Sequence, residues 1–197
     1  MSTINPSLQK FYQKIWPDIS IEMLETISEK YTTHSYKRGD VILKPGDVCE
    51  WTGLVNEGIV RYYHVVDGKE HVGQFFMPGM IVSDYVSYIE GSAARIYIDA
   101  VKDCEISIMR KEDSECLRQL IPGYLEMILK YLNLIYISNF ERYSSLLLDP
   151  AETRYLKLLK SRPEIVQQVP LYMVASFLGI TPEMLSRVRK KISVQGH

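Results

Sequence analysis

The sequence predicts an α+β chain: an N-terminal β-roll or jelly roll with flanking helices, then a long helix, then a small helical C-terminal domain. Three observations predict it. Between His34 and Arg110, short β-rich runs recur with glycines between them. From Tyr124 to Leu148 apolar residues recur at helical spacing without a breaker. Near the end, two short helical patterns flank Gly179.

Each element follows from local chemistry. Residues 5–31 read as helical, with Leu8, Phe11 and Ile15 on one face and Ser20 capping the run from Ile21 to Lys30. The expected strands are Val41–Lys44, Trp51–Asn56, Ile59–Val66, His71–Phe76, Ile96–Val101 and Glu105–Met109. Asp67-Gly68 between two of them is a strong hairpin signal. Helical character returns after Lys111 and is broken by Pro122-Gly123. The long helix that follows carries Tyr124, Leu125, Ile128, Tyr131, Leu132, Ile135, Phe140, Leu146 and Leu147, more than one narrow stripe. One face then packs on the roll and another on a partner helix, as in a dimer. A monomeric helix buried on both sides is the bland alternative. Asp149 reads as an N-cap, Pro150 as a first helical residue and Glu152 as a first-turn acid. The expected domains are 1–111 (sensor), 112–148 (long helix) and 149–197 (terminal domain).

The terminal stretch Val169–Ile192 carries the chemistry. Pro170 suits a helix start, and Met173, Val174, Ala175 and Leu178 can face a core. Gly179 falls where the chain must leave the helix, often with positive φ. Thr181 is then an N-cap, Pro182 a first residue and Glu183 a favourable first-turn acid. Leu185, Val188 and Ile192 form the inner face, with Glu183, Ser186, Arg187 and Lys190 opposite. This is the build of a helix-turn-helix DNA reader. Arginine can donate two hydrogen bonds to guanine, and glutamate can accept from cytosine. Lys190 and Lys191, further along, suit phosphates, which set affinity without reading sequence. The candidate DNA-binding residues are Thr181, Pro182, Glu183, Ser186, Arg187, Arg189, Lys190 and Lys191. The bland alternative is a solvated basic helix.

Composition narrows the class. The 197 residues carry a net charge of −1, but residues 151–197 hold eight Lys/Arg against three Asp/Glu. A basic end on an acidic body suggests that only the end meets nucleic acid. No apolar run approaches a membrane span, and the N-terminus does not read as a signal peptide, so a cytoplasmic protein without a membrane partner is expected. Cys49, Cys104 and Cys116 are widely spaced and read as buried thiols rather than metal ligands. His34, His64 and His71 form no recognisable haem or metal set. No nucleophile elbow, phosphate loop or zinc-protease motif is present, so no enzyme is expected.

β-roll, long helix and helix-turn-helix, in that order, resemble the bacterial Crp/Fnr superfamily of regulators, over nearly the whole chain. On the roll side the resemblance rests on Tyr36-Lys-Arg-Gly-Asp-Val-Ile-Leu-Lys-Pro-Gly46, Val55-Asn-Glu-Gly-Ile-Val-Arg61, Asp67-Gly-Lys-Glu70 and Phe76-Met-Pro-Gly79. On the other side it rests on Leu178-Gly-Ile-Thr-Pro-Glu-Met-Leu-Ser-Arg-Val-Arg-Lys-Lys191. The resemblance implies a homodimer through the 124–148 helix, binding double-stranded DNA at two half-sites about one turn apart. It also implies RNA polymerase as a partner and an unidentified small-molecule effector. Glu183 and Arg187 fall where family members read bases, and Pro182 replaces an arginine of the cyclic-AMP receptor protein. The usual wing hairpin is expected to be short or absent, because few residues separate Lys160 from the first helix of the pair. Little chain follows Ile192, so a strand after the second helix is not expected either.

The effector site departs from the family pattern. Cyclic-nucleotide binders of this family carry Gly-Glu, a short helix, then Arg-Ser/Thr-Ala. Here Ser83-Asp84 replaces Gly-Glu, and Ala94 takes the arginine position with Arg95 one residue later. On a strand that shift turns the side chain away unless a bulge corrects it. No cofactor and no cyclic-AMP binding are therefore expected. The effector-pocket candidates are Ser83, Asp84, Tyr85, Arg95 and Tyr97; with Tyr88, the tyrosines either line a pocket for another small molecule or fill the roll. The leading expectation is a homodimeric transcription regulator. The alternatives are a sensor module acting through protein partners, and a metal- or haem-dependent roll.

Overall fold

The computed structural model describes residues 4–195. Two four-stranded sheets form the roll. One has the order β1-β8-β3-β6, from Tyr31–Tyr36 (β1), Cys104–Arg110 (β8), Trp51–Glu57 (β3) and Ile81–Val82 (β6). The other has the order β2-β7-β4-β5, from Val41–Leu43 (β2), Tyr97–Ala100 (β7), Val60–Val66 (β4) and Lys69–Phe76 (β5). All six expected strands are present. The helical reading of residues 5–31 runs too far: the second helix stops at Ser28, and Tyr31 already pairs with Met109 in β1. The hairpin turn has positive φ at both Asp67 and Gly68, the sign pattern of a type I′ turn.

The chain folds as two compact units. The first comprises residues 1–63 and 75–133. It holds two cores. Inside the roll lie Leu43, Val55, Val60, Val82, Ile98 and Ile106. On the outer face of the first sheet, Leu54 and Met109 meet helices Pro6–Ile15 (α1) and Ile21–Ser28 (α2), with Leu8, Phe11, Tyr12 and Ile27. Ser20 caps α2 as expected, accepting from Met23 N–H at 3.2 Å. Leu117 of Lys111–Leu120 (α4) and Tyr124 and Met127 of Tyr124–Leu148 (α5) close the same core.

The second unit comprises residues 64–74 and 134–197. It includes the hairpin tip, the rest of α5, and helices Ala151–Ser161 (α6), Pro163–Gln168 (α7), Leu171–Phe177 (α8) and Pro182–Gln195 (α9). Tyr155, Leu158, Ile165, Val174, Ala175, Phe177, Leu185 and Val188 are buried there. Where a wing hairpin would stand, the chain forms α7, and no strand follows Arg110 among the described residues. One capping expectation needs correction. Pro150, not Asp149, occupies the cap position of α6. The Asp149 carboxylate instead accepts from Ser145 Oγ at 2.5 Å and Lys157 Nζ at 2.6 Å, which holds it below the usual carboxylate range. Likewise Pro170 precedes α8 rather than opening it, and its carbonyl accepts from Met173 and Val174.

Candidate nucleic-acid interface

The pair α8 and α9 is built as its sequence suggests. Met173, Val174, Ala175 and Phe177 bury one face of α8. Ala175 is fully buried, a small residue where helices meet closely. Gly179 has φ +66 and ends the helix, with Ile180 N–H returning to the carbonyl of Ala175 at 3.0 Å. Thr181 then caps α9: its Oγ1 accepts from Met184 N–H at 3.2 Å. Leu185 and Val188 point inward and are buried.

The opposite face of α9 is open. Thr181, Pro182, Glu183, Ser186, Arg187, Arg189, Lys190 and Lys191 are all exposed. Glu183, at the helix N-terminus, is held below the usual carboxylate range by its own backbone N–H, then by the Thr181 hydroxyl and the Arg187 charge. It is therefore ionised and acceptor-only at neutral pH, as pairing with a cytosine amino group requires. Ser186 Oγ donates back to the Pro182 carbonyl at 3.0 Å. Lys191 is engaged inside the unit: its Nζ lies 2.5 Å from Glu152 Oε2 on α6.

The sensor candidates are arranged differently. Asp84 is buried and caps Tyr85–Glu90 (α3), accepting from Ser87 N–H at 3.2 Å. Ser83 Oγ donates to the Trp51 carbonyl at 2.9 Å. Ser87 Oγ accepts from Cys49 N–H at 2.9 Å and donates to the Ser92 carbonyl at 2.6 Å. The backbone of Ala94 is also taken: its N–H donates to Asp47 and its carbonyl accepts from Gly46. The cassette is thus bonded to the 46–51 loop. Arg95 is exposed while Ala94 and Ile96 are buried, so no bulge corrects the register and Arg95 does not enter the roll. Tyr85 is exposed and stacks on Tyr88 at 6.3 Å. Tyr97 neither lines nor fills the interior. It alternates with the core residues Ile96 and Ile98 and stacks on Tyr63 at 5.1 Å. A cyclic phosphate calls for an inward cation; Arg95 lies outside the roll, and buried Ala94 carries no charge.

Sequence reading missed a buried ion pair. Arg61 Nε and Nη2 donate to the two Asp99 oxygens at 2.8 and 2.9 Å, and its guanidinium lies 4.1 Å over the Tyr63 ring. The signal was present: a cation and an anion, each beside apolar residues of a β-rich run. Their alternation with Val60 and Ile98 places them on the outer face of their sheet, so they are no substitute for the missing phosphate ligand.

Comparison with known proteins agrees with this architecture. Residues 33–120 match the family model of the cyclic nucleotide-binding domain. The solved structure of FixK2 from Bradyrhizobium japonicum superposes with a TM-score of 0.70 at 20% identity, covering 84% of this chain and 86% of that one. The chain has the Crp/Fnr-type fold. CLP of Xanthomonas campestris, a c-di-GMP-responsive global regulator, is similar at a TM-score of 0.69 and 21% identity, over 90% of this chain and 93% of its own. The catabolite activator protein of Thermus thermophilus gives 0.58 at 19% identity, over 92% and 87%. No curated protein shows significant sequence similarity to the chain. Among the described residues no group of three His, Cys, Asp or Glu is placed to hold a metal, and no helix is long and apolar enough to cross a membrane.

Proposed function

We propose that the chain is a homodimeric, sequence-specific DNA-binding transcription regulator of the bacterial cytoplasm that reads bases with α9 and does not respond to cyclic AMP. The observation that carries this is the open face of α9: ionised Glu183 beside Arg187, with Ser186 and Lys190, on a capped helix whose other face is buried. Glu183 and Arg187 take the base-reading roles, and Arg189 and Lys190 reach phosphates. Dimerisation runs through α5, whose apolar residues Leu129, Tyr136, Phe140, Tyr143 and Leu147 recur at seven-residue and three-to-four-residue steps and are exposed. RNA polymerase is the expected further partner.

The test is selection of bound duplexes from a random DNA pool. The parent should enrich a two-fold-symmetric site, and the Glu183→Ala/Arg187→Ala variant should not. On that site Arg187→Ala alone should lose roughly 1–3 kcal/mol and relax the preference at one position. An unchanged preference would reject the assignment. Exposed Leu171 and Tyr172 on α8 and Met184 on α9 favour a second reading, a protein partner in place of DNA. It predicts no enrichment by the parent, with or without a cell metabolite extract.

A further inference from the structure

The end of α8 is fastened to the hairpin and to α5. Strand β5 stands at the edge of its sheet, so the N–H and C=O groups on its outer side face no further strand. The Ser176 hydroxyl takes one of each: it accepts from Val72 N–H at 2.9 Å and donates to the Glu70 carbonyl at 3.1 Å. Ser176 lies in the last turn of α8, immediately before the turn that leads into α9. Next to it, Phe177 is gripped from α5. Arg142 Nη2 donates to the Phe177 carbonyl at 3.1 Å, and the same guanidinium lies 4.2 Å over the ring. Arg162 stands 5.2 Å over that ring and donates through Nη1 to Gln74 Oε1 on the hairpin at 2.8 Å. All of these residues belong to one compact unit. The exposed residues of α9 take no part in the fastening, so it can persist while the reading face is occupied.

We propose that Ser176 is a positioning residue that, with the Phe177–Arg142 contact, fixes the reading helix against the hairpin and α5 and so sets the half-site spacing the dimer accepts. This rests on the dimeric DNA reading proposed above. If α5 forms the dimer seam, the angle at which α8 leaves α5 decides where the two reading helices stand. Each inserted base pair turns one half-site by about 34–36° relative to the other, so a rigid attachment rejects wrong spacers. A loosened one tolerates them, because the second half-site is then captured through a flexible tether.

The experiment uses the full chain and the selected site, with its two half-sites moved apart or together by one and two base pairs. Bandshift affinities are measured for the parent, Ser176→Ala and Ser176→Thr, and for isolated half-sites. Ser176→Ala should keep the parental base preference within a half-site while its preference for the selected spacer falls roughly tenfold. Ser176→Thr, which keeps the hydroxyl, should restore it. Gln74→Leu severs the hairpin's bond to Arg162 and should relax spacing in the same way, which keeps the test open if Ser176→Ala folds poorly. A parental spacing profile in both Ser176→Ala and Gln74→Leu overturns the proposal. So does relaxation that Ser176→Thr does not repair. A parent that selects no symmetric site at all would instead overturn the DNA reading on which this depends.

Discussion

Arg61 and Asp99 show what a single buried pair demands. The Arg61 side chain is 3% exposed and that of Asp99 12%, with both nitrogen–oxygen bonds under 3 Å. Removing Asp99 takes a bidentate partner from a guanidinium in a low-dielectric site, a far larger effect than losing a surface pair. Asp99→Ala should therefore lose about 3–5 kcal/mol of stability. A fall in the urea midpoint at unchanged slope measures it, and a midpoint near the parent's would show that water reaches the guanidinium. The Lys191–Glu152 pair is the opposite case. Both side chains are partly exposed, at 58% and 29%, so the bond is weak and can exchange for a phosphate. Glu152→Gln releases Lys191. Affinity for any duplex should rise and the salt slope steepen by up to about one. An unaltered slope would mean that Lys191 reaches no phosphate.

At the level of elements, α5 carries two different faces. Its first turns send Tyr124 and Met127 into the first unit's core, while Tyr136 is 71% and Phe140 60% exposed. So large an apolar stripe on one helix suits the proposed dimer seam. If α5 forms that seam, Phe140→Glu places like charges across it and should convert the dimer to monomer, read by sedimentation velocity at micromolar protein. A variant that sediments as the parent does would move the seam elsewhere. This helix was legible in the sequence from end to end, because a long unbroken period is the strongest local signal. The caps of α2 and α9 were legible for the same local reason: serine and threonine hydroxyls bond within three residues. What could not be read was decided at long range. Asp149 has the chemistry of a cap, but a lysine eight residues away and Ser145 claim its carboxylate. The role of Ser176 depends on a hairpin more than a hundred residues earlier, and no window of sequence contains both. Arg95 poses a problem of register that the sequence states, but only the burial of Ala94 and Ile96 shows which way it resolves.

For the whole molecule, the proposal that cyclic AMP is no effector rests on the cassette. Ser83, Asp84 and Ser87 are each bonded to their own neighbours, and Ala94 gives both its backbone groups to the 46–47 turn. A ligand that binds the folded state at a hundred times its Kd would raise stability by about 2.7 kcal/mol. Millimolar cyclic AMP should leave the melting temperature where it is. A dose-dependent rise would show that the cassette opens, and would withdraw the claim that the nucleotide has no place there.

The closed cassette also bears on how such a protein would inform its cell. If no small molecule toggles the roll, the remaining variable is how many copies are present. Occupancy of a two-fold site by a chain that pairs through α5 grows with the square of monomer concentration until the pairs are formed. Synthesis and degradation would then be the input, and a modest change in either would be read as a sharp change in output.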